Sequence, residues 1–222
     1  MKNIVFSNNI KNLPLVFNYN IRCGFEDKTT PSPAGCFYPK QVHGKKILHA
    51  SYDTGEGDGI YTKTAQQTVA IQTADCLPLL IIDTKKTIAM AVHVGWKGLV
   101  SNVVGAAMQT YNVKHAFDDM IMIIGPCIHK ESFIVNTNVI DQITEANINI
   151  CDFQITASTH RINHDTWMLN LVSLVCFQAM NYGVSPRMIN VLDSCTYVDH
   201  HRWYSYRKGD KTYRNWSWIT LE

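Results

Sequence analysis

The amino-acid sequence predicts a mixed α/β fold of α+β character, and two observations point to this class. Residues 77–83 (LPLLIID) and 120–124 (MIMII) are almost continuously apolar, which is typical of strands buried on both faces of a sheet. Residues 99–110 and 167–182 instead repeat apolar side chains at helical spacing. Because strands and helices do not alternate regularly, we expect a single layered domain over residues 1–222 with buried mixed sheets, rather than a doubly wound sheet.

The individual elements follow from local patterns. Five segments have the composition of strands: residues 68–72, 77–83, 87–92, 120–124 and 187–192. A polar turn at residues 84–86 joins the second of these strands to the third as a hairpin. Three segments have helical spacing: residues 99–110, 136–145 and 167–182, the last followed by Gly183 as a stop signal. The aromatic and basic tail from Trp203 is expected to end in a further strand.

Composition and charge exclude several classes of protein. With 222 residues, 46% hydrophobic and 17% charged, the chain can bury a sizeable core. The formal net charge of +2 gives no indication of a nucleic-acid or membrane partner, and no apolar run approaches the ~20 residues of a membrane span. The N-terminus lacks a signal-peptide pattern, so we expect a cytoplasmic protein with reduced cysteines. Heptad repeats are absent, and we expect a monomer or a weak homo-oligomer.

Three short segments carry side chains that can bind a metal. His43 lies in KQVHG, Cys76 in TADCLP and His93 in AVHVGWKG. Cys76 begins one predicted strand, and His93 follows the strand predicted to be its hairpin partner. Because an antiparallel hairpin brings its open ends together, Cys76 and His93 are expected to be neighbours in space. Spacing alone does not place His43 beside them.

Two imidazoles and a thiolate are a common ligand set for catalytic zinc, with a fourth position left for water or substrate. Two other interpretations stay open. Cys76 and His93 would also serve as the nucleophile and base of a metal-free cysteine hydrolase. Alternatively, Cys127 or Cys195 would complete a structural zinc site with four protein ligands.

Neighbouring residues of the same segments have secondary roles in these hypotheses. Thr73 and Asp75 are placed to orient a ligand from behind. Gly95 and Gly98 allow the backbone to approach a ligand closely. Trp96 is a candidate stacking platform for a planar base, and a packed structural tryptophan is the equally simple alternative.

Seven motifs, in order, resemble the family known as laccase-domain, multicopper polyphenol oxidase or YfiH-like proteins. They are QVHG, GDG, TADCLPLL, AVHVGWKGL, IGPCI, DSCT and YSYR, which begin at residues 41, 57, 73, 91, 124, 193 and 204. The resemblance extends over roughly residues 36–210, and the spacing of TADC and HVGWKG is its most specific part. Residues 132–135 (SFIV) and the basic tail depart from the family pattern, which leaves substrate specificity open.

The resemblance implies a layered α/β/β/α fold in which His43, Cys76 and His93 are zinc ligands. It implies phosphorolysis of purine nucleosides (adenosine, inosine or methylthioadenosine) and deamination of adenosine, while bacterial relatives are linked to peptidoglycan editing. The expected partners are therefore a small nucleoside and phosphate.

Roles for individual residues follow from these reactions. The predicted catalytic residues are Asp75, Arg207 and Lys40, and the predicted substrate-binding residues are Gln41, Thr73, Trp96 and Lys97. Arg207, Lys40 and Lys97 would neutralise phosphate charge in phosphorolysis. Asp75 would carry a proton in deamination.

The family name also suggests copper, which binds such ligands more tightly than zinc. Zinc is the expected metal, and copper is a possible occupant of the same site. Laccase chemistry requires a trinuclear copper cluster supplied by many histidines, often in His-x-His pairs. The chain has nine histidines and no His-x-His pair, so we do not expect a true laccase.

Overall fold

The computed structural model describes residues 13–51, 55–112, 117–146 and 148–222. The strands are β1 (Cys23–Glu26), β2 (Ile47–His49), β3 (Gly59–Thr62), β4 (Thr68–Thr73), β5 (Leu77–Asp83), β6 (Ala89–Val94), β7 (Met120–Ile124), β8 (Ile134–Asn136), β9 (Thr159–Arg161), β10 (Thr166–Leu169), β11 (Ile189–Val191) and β12 (Asn215–Thr220). The helices are α1 (Pro14–Asn18), α2 (Trp96–Val100), α3 (Val103–Asn112), α4 (Thr137–Glu145), α5 (Asp152–Ser158) and α6 (Leu171–Asn181). Residues 1–7, in which the sequence shows no signal-peptide pattern, lie outside the described ranges.

The strands of the described residues form three sheets. A six-stranded sheet has the order β11-β7-β5-β6-β3-β2, in which the two outer pairs are parallel and the inner pairs are antiparallel. The smaller sheets have the orders β1-β12-β4 and β8-β10-β9. The mixed α/β fold class that the sequence predicts is therefore confirmed.

The central strands of the large sheet are buried on both faces, and alternate residues enter two different cores. In β5, Leu77, Leu79 and Ile81 face a core shared with helices α3, α4 and α6. Leu80 and Ile82 face a second core, which is shared with the three-stranded sheet of β1, β12 and β4. Since successive side chains of a strand point to opposite faces, the large sheet lies between a helical layer and a second sheet.

Two predicted helices differ from the observed ones. Residues 167–182 were expected to be one helix, but Trp167 and Met168 belong to β10, and α6 begins only after Asn170. The Asn170 side chain caps that helix by accepting the backbone N–H of Ser173 at 3.1 Å. The helix predicted over residues 99–110 is divided between α2 and α3 by Asn102, whose backbone is left-handed with φ of 66°.

The other predicted elements agree with the structure except at their ends. The hairpin partner predicted at residues 87–92 is β6, which lies two residues further along the chain. The strand predicted at residues 187–192 is shorter than expected, because β11 begins only after a 3₁₀ turn at Pro186–Met188. The expected strand in the tail is β12, the middle strand of its sheet. Within the described ranges, every helix is too short or too polar to cross a bilayer.

Candidate metal centre and active site

The site lies at the open end of the hairpin formed by β5 and β6. Leu77 pairs with Val94, and Pro78 pairs with His93, so Cys76 immediately precedes the last paired residues. The Cys76 thiol is hydrogen-bonded to both His93 and His43. The predicted proximity of Cys76 and His93 is therefore confirmed, and His43 joins them from the loop before β2.

His43, Cys76 and His93 form one compact group of donor atoms. One ring nitrogen of each histidine and the sulfur of Cys76 all lie within 4.8 Å of one another. The two imidazole rings meet edge to face with centroids 4.8 Å apart. His43 has a left-handed backbone with φ of 60°, an uncommon conformation for a residue with a side chain. Within the described ranges, no other group of three His, Cys, Asp or Glu side chains has this arrangement.

Asp58 contacts both histidine segments of this group and fixes their positions. Its carboxylate is fully buried and accepts a hydrogen bond from Nδ1 of His93 at 2.8 Å. It also accepts the backbone N–H groups of Val42 (3.3 Å), His43 (2.9 Å) and Gly44 (2.6 Å). One carboxylate therefore fixes the ring orientation of one histidine and the left-handed loop that carries the other, and it leaves Nε2 of His93 for the site.

Gly95 makes the close approach of the three side chains possible. A Cβ atom at this position would lie 2.9 Å from Sγ of Cys76 and 3.2 Å from Cδ2 of His43. The φ of Gly95 is −86°, so its backbone does not require glycine, and space beside the donor atoms is the reason for this residue.

The electrostatics of the group favour a thiolate beside cationic imidazole. Burial by itself raises the pKa of the Cys76 thiol, but hydrogen bonds from His43 and His93 and their charges outweigh it and bring the pKa to about 6. Burial lowers the pKa of His93, but hydrogen bonds to Asp58 and Cys76 raise it overall to about 9. The pKa of Asp58 is lowered, because bonds from His93 and the Gly44 amide outweigh its burial.

The donor set fits a single transition-metal ion. Zinc binds cysteine sulfur at about 2.3 Å and histidine nitrogen at about 2.0–2.1 Å. Donor atoms within 4.8 Å of one another reach one such ion after a small closing movement of their side chains. The Asp58–His93 pair is the kind of outer contact that orients a metal-binding imidazole. Cys127 and Cys195 were each considered as a fourth ligand, but both lie outside this group. Their backbones pair in an isolated parallel β-bridge, and both thiols are free.

All ten residues predicted for the site line one cavity of about 1050 Å³, although their side chains have different contacts. The Gln41 side chain donates to the backbone C=O of Gln72 at 2.7 Å and accepts its N–H at 2.8 Å. Both ends of its amide are thereby used to attach the His43 loop to β4. The hydroxyl of Thr73 is buried and has no hydrogen-bond partner among the described residues.

Asp75 connects three segments at the edge of the cavity. One carboxylate oxygen accepts the hydroxyl of Thr196 at 2.7 Å, and the other accepts the backbone N–H of Arg207 at 2.7 Å. Its own backbone has φ of 78° and accepts the N–H of Ile128. In this arrangement Asp75 holds the loops of Thr196 and Arg207 against the turn that carries Cys76.

The predicted cationic residues differ in how far they are already paired. Lys40 is exposed and forms a salt bridge with Glu56 at 2.8 Å. Lys97 lies 5.7 Å from the centre of the Trp96 ring. Arg207 donates one N–H to the carbonyl of Ile134 at 3.1 Å. Among the described residues, Lys97 and Arg207 have no carboxylate within salt-bridge distance.

Sequence reasoning missed two residues of this site. Asp58 was part of the GDG motif but received no role, although an acid between two glycines and before a buried strand was a usable signal. Arg214 also lines the cavity. It was noticed only as part of a basic tail, and no local pattern distinguishes it from the other basic residues there.

The fold and the site define a layered α/β protein with a candidate metal centre of two histidines and one cysteine. Residues 20–222 match the family described as multi-copper polyphenol oxidoreductase laccase, and the chain belongs to this family. The resemblance to YfiH-like proteins is thereby confirmed.

Curated relatives carry a different activity in their names. The chain is 30% identical over 193 residues to "Purine nucleoside phosphorylase YfiH" of Shigella flexneri, covering 85% of this chain and 75% of that protein. It is 27% identical over 200 residues to "Purine nucleoside phosphorylase YlmD" of Bacillus subtilis, covering 83% and 70%.

Solved structures share the fold. YlmD of Geobacillus stearothermophilus superposes with a TM-score of 0.79 at 19% identity, covering 91% of this chain and 92% of that chain. A hypothetical protein YfiH of Bacillus licheniformis has a TM-score of 0.77 at 22% identity, covering 84% and 74%.

Proposed function

We propose that this protein is a metal-dependent purine nucleoside enzyme that cleaves adenosine, inosine or methylthioadenosine by phosphorolysis and also deaminates adenosine. The observation that carries the proposal is the His43–Cys76–His93 group, oriented by Asp58 and open to a cavity with cationic and aromatic walls. The names of the relatives support the purine nucleoside class.

Zinc is the metal that this donor set favours. His43, Cys76 and His93 would hold the ion, which would then act as a Lewis acid at neutral pH. Copper is the alternative occupant, since it binds nitrogen and sulfur ligands more tightly.

The nucleoside would be held by the aromatic part of the cavity. Trp96 and Tyr38 both line the cavity. The rings of Tyr38 and Trp216 meet edge to face with centroids 5.0 Å apart. A planar base stacks on such rings with little loss of side-chain freedom. Gln41 contributes indirectly, by fixing the loop between Tyr38 and His43 on β4.

Phosphate is the second reactant in phosphorolysis, and its charge must be neutralised beside the ribose. Arg207 and Lys97 are suited to this role because neither has a carboxylate partner among the described residues. Lys40 would first have to leave Glu56, so its contribution is smaller. As hydrogen phosphate attacks the anomeric carbon, a C–O bond forms and the C–N bond to the base breaks. The base takes up the proton that the phosphate loses.

Deamination requires a proton carrier near the purine ring. Asp75 is the acid that lines the cavity, and its two oxygens already accept hydrogen bonds from Thr196 and Arg207. Asp75 would carry a proton only after releasing one of these donors. Its proposed contribution is therefore mainly to hold the Arg207 loop in place.

The proposal is tested by measuring metal content and turnover on the same preparations. About one zinc per chain is expected, with phosphate-dependent release of base from adenosine or inosine and separate release of ammonia from adenosine. His43→Ala and Cys76→Ala should lose the metal and both activities. The matched controls His160→Ala and Cys151→Ala remove exposed side chains outside the cavity and should retain them.

The second candidate is a metal-free cysteine hydrolase, which the hydrogen bonds between Cys76 and two histidines favour. In that enzyme Cys76→Ala would abolish turnover, and removing metal with a chelator would leave it unchanged. Full activity after chelation would therefore reject the metal-dependent proposal.

A further inference from the structure

The loop from Tyr204 to Asn215 forms a basic wall of the cavity. Its sequence, YSYRKGDKTYRN, contains four cationic residues and a single acid. That acid, Asp210, accepts the backbone N–H of Ser205 at 2.9 Å and lies 3.4 Å from the ammonium group of Lys28. The Asp210 carboxylate therefore contacts Ser205 and Lys28 and, within the described ranges, forms no salt bridge with the arginines of the loop.

The loop is anchored at two points over the turn before Cys76. The Asn215 side chain exchanges two hydrogen bonds, of 2.8 and 2.9 Å, with the backbone of Tyr204, which closes the loop. Asn215 also pairs in register with Thr73 at the end of β4. The backbone N–H of Arg207 donates to Asp75 at 2.7 Å. Residues 207 and 214 are thereby brought to the same short segment, 73–75.

Both arginines keep unused donors. Arg207 uses Nη1 for the carbonyl of Ile134, and Arg214 uses Nη1 for the carbonyls of Tyr213 and Asp210. Their remaining N–H groups have no hydrogen-bond partner, and neither guanidinium has a carboxylate partner, among the described residues. Both side chains line the cavity.

Thr73 provides an independent observation at the same place. The residue is 2% exposed, and its hydroxyl has no hydrogen-bond partner among the described residues. A buried hydroxyl without a partner is unfavourable and uncommon in proteins. Because Thr73 lines the cavity, rotation about its Cα–Cβ bond would turn this hydroxyl toward a ligand there.

We infer that Arg207, Arg214 and Thr73 form an oxyanion subsite that binds inorganic phosphate. Two guanidinium groups and a hydroxyl supply donors for more than two oxygens, which suits a tetrahedral oxyanion better than a carboxylate. A cavity of about 1050 Å³ leaves room for phosphate beside a nucleoside. The inference rests on the proposed function only for the presence of a nucleoside as second reactant.

The subsite is tested by calorimetric titration of inorganic phosphate into the metal-loaded full chain, without nucleoside and at constant ionic strength. One site per chain is expected. Arg214→Gln should weaken binding about 10-fold or more, as expected for the loss of a charge-assisted pair of hydrogen bonds. The matched control Arg187→Gln removes the same charge from an exposed position outside the cavity and should bind phosphate as the parent does.

Thr73→Val keeps the branched shape of the side chain and replaces the hydroxyl with a methyl group. It should weaken phosphate binding several-fold while the melting temperature stays equal or rises, since an unpartnered buried hydroxyl is removed. A folding defect would lower both quantities together, so this variant separates binding from stability.

Three outcomes would overturn the inference. The first is that Arg214→Gln binds phosphate as tightly as the parent, and the second is that Arg187→Gln weakens phosphate binding as much as Arg214→Gln does. The third is that the parent binds no phosphate but binds AMP much more tightly than adenosine. The last result would assign the subsite to the phosphoryl group of a nucleotide. Arginine-dependent phosphate binding in a protein that does not act on nucleosides would reject the proposed function and leave the subsite intact.

Discussion

Asp58 is the residue on which the geometry of the metal centre depends most directly. It contacts His93 through the side chain and His43 through the backbone amide. We predict that Asp58→Asn weakens zinc binding about 10- to 100-fold, the usual effect of removing a carboxylate behind a metal-binding histidine. Affinity is measured by competition with a chromogenic chelator. Asp193→Asn, at a side chain that is 95% exposed, is the control, and equal affinities in the two variants would contradict the prediction.

The thiol of Cys76 gives a second prediction for a single residue. In metal-stripped protein its pKa of about 6 means that the thiolate forms as the pH rises through that value, well below the ordinary thiol value of about 8.5. Alkylation by iodoacetamide at this position should therefore rise between about pH 5 and 7. Peptide mass analysis separates Cys76 from the exposed Cys151.

A matched variant checks the cause of this low pKa. His93→Ala removes a hydrogen bond and a positive charge from Cys76, so the alkylation midpoint should move to higher pH. A midpoint near the ordinary thiol value in the unsubstituted protein would show that the two histidines do not stabilise the thiolate.

The start of helix α2 is shaped for the site rather than for helix stability. We predict that Gly95→Ala lowers zinc affinity about 10-fold or more. The new methyl group would lie 2.9 Å from Sγ of Cys76 and 3.2 Å from Cδ2 of His43, so these side chains would have to move from their positions in the site. The same chelator competition measures it. Gly98→Ala, three residues later, meets its nearest atoms at 3.4 Å and should bind zinc normally. A normal affinity in Gly95→Ala would mean that the donor atoms have room to separate.

Single elements show how far the sequence could predict the site. Cys76 and His93 followed from the hairpin, because register between adjacent strands depends on local pattern. The positions of His43 and Asp58 did not follow from the sequence. His43 lies in a loop that Asp58 holds, and the path of this loop depends on contacts between residues distant in sequence. The family resemblance supplied His43, and only the structure supplied Asp58 as the residue that holds it.

The error at residues 167–182 has a comparable origin. Apolar side chains at helical spacing continue from α6 back into β10, so periodicity does not mark the boundary. The pairing of Trp167 with Arg161 and with Val135 decides it, and Val135 is distant along the chain. Asn170 is the local signal that the helix begins there, as a residue type typical of N-caps.

At the scale of the whole molecule, the large sheet contributes one face to each core. The three-stranded sheet β1-β12-β4 is held together by β12, its middle strand. β12 pairs with β1 on one side and with β4 on the other. The sequence predicted a strand in this tail, but not its central position, because strand order arises from the two cores together. β12 therefore joins β1 to β4, the strand that ends at Thr73.

Ile219 tests the contribution of this strand to the stability of the whole protein. It is fully buried in the second core and pairs with Cys23 and Val69. We predict that Ile219→Ala lowers the free energy of unfolding by about 2–5 kcal/mol, the range for loss of a large buried aliphatic side chain. Urea unfolding followed by tryptophan fluorescence measures the change. Val198→Ala, at a side chain that is 65% exposed, should remain within about 0.5 kcal/mol of the parent. A loss below about 1 kcal/mol in Ile219→Ala would indicate that the core closes over the missing atoms and that β12 is held mainly by its backbone hydrogen bonds.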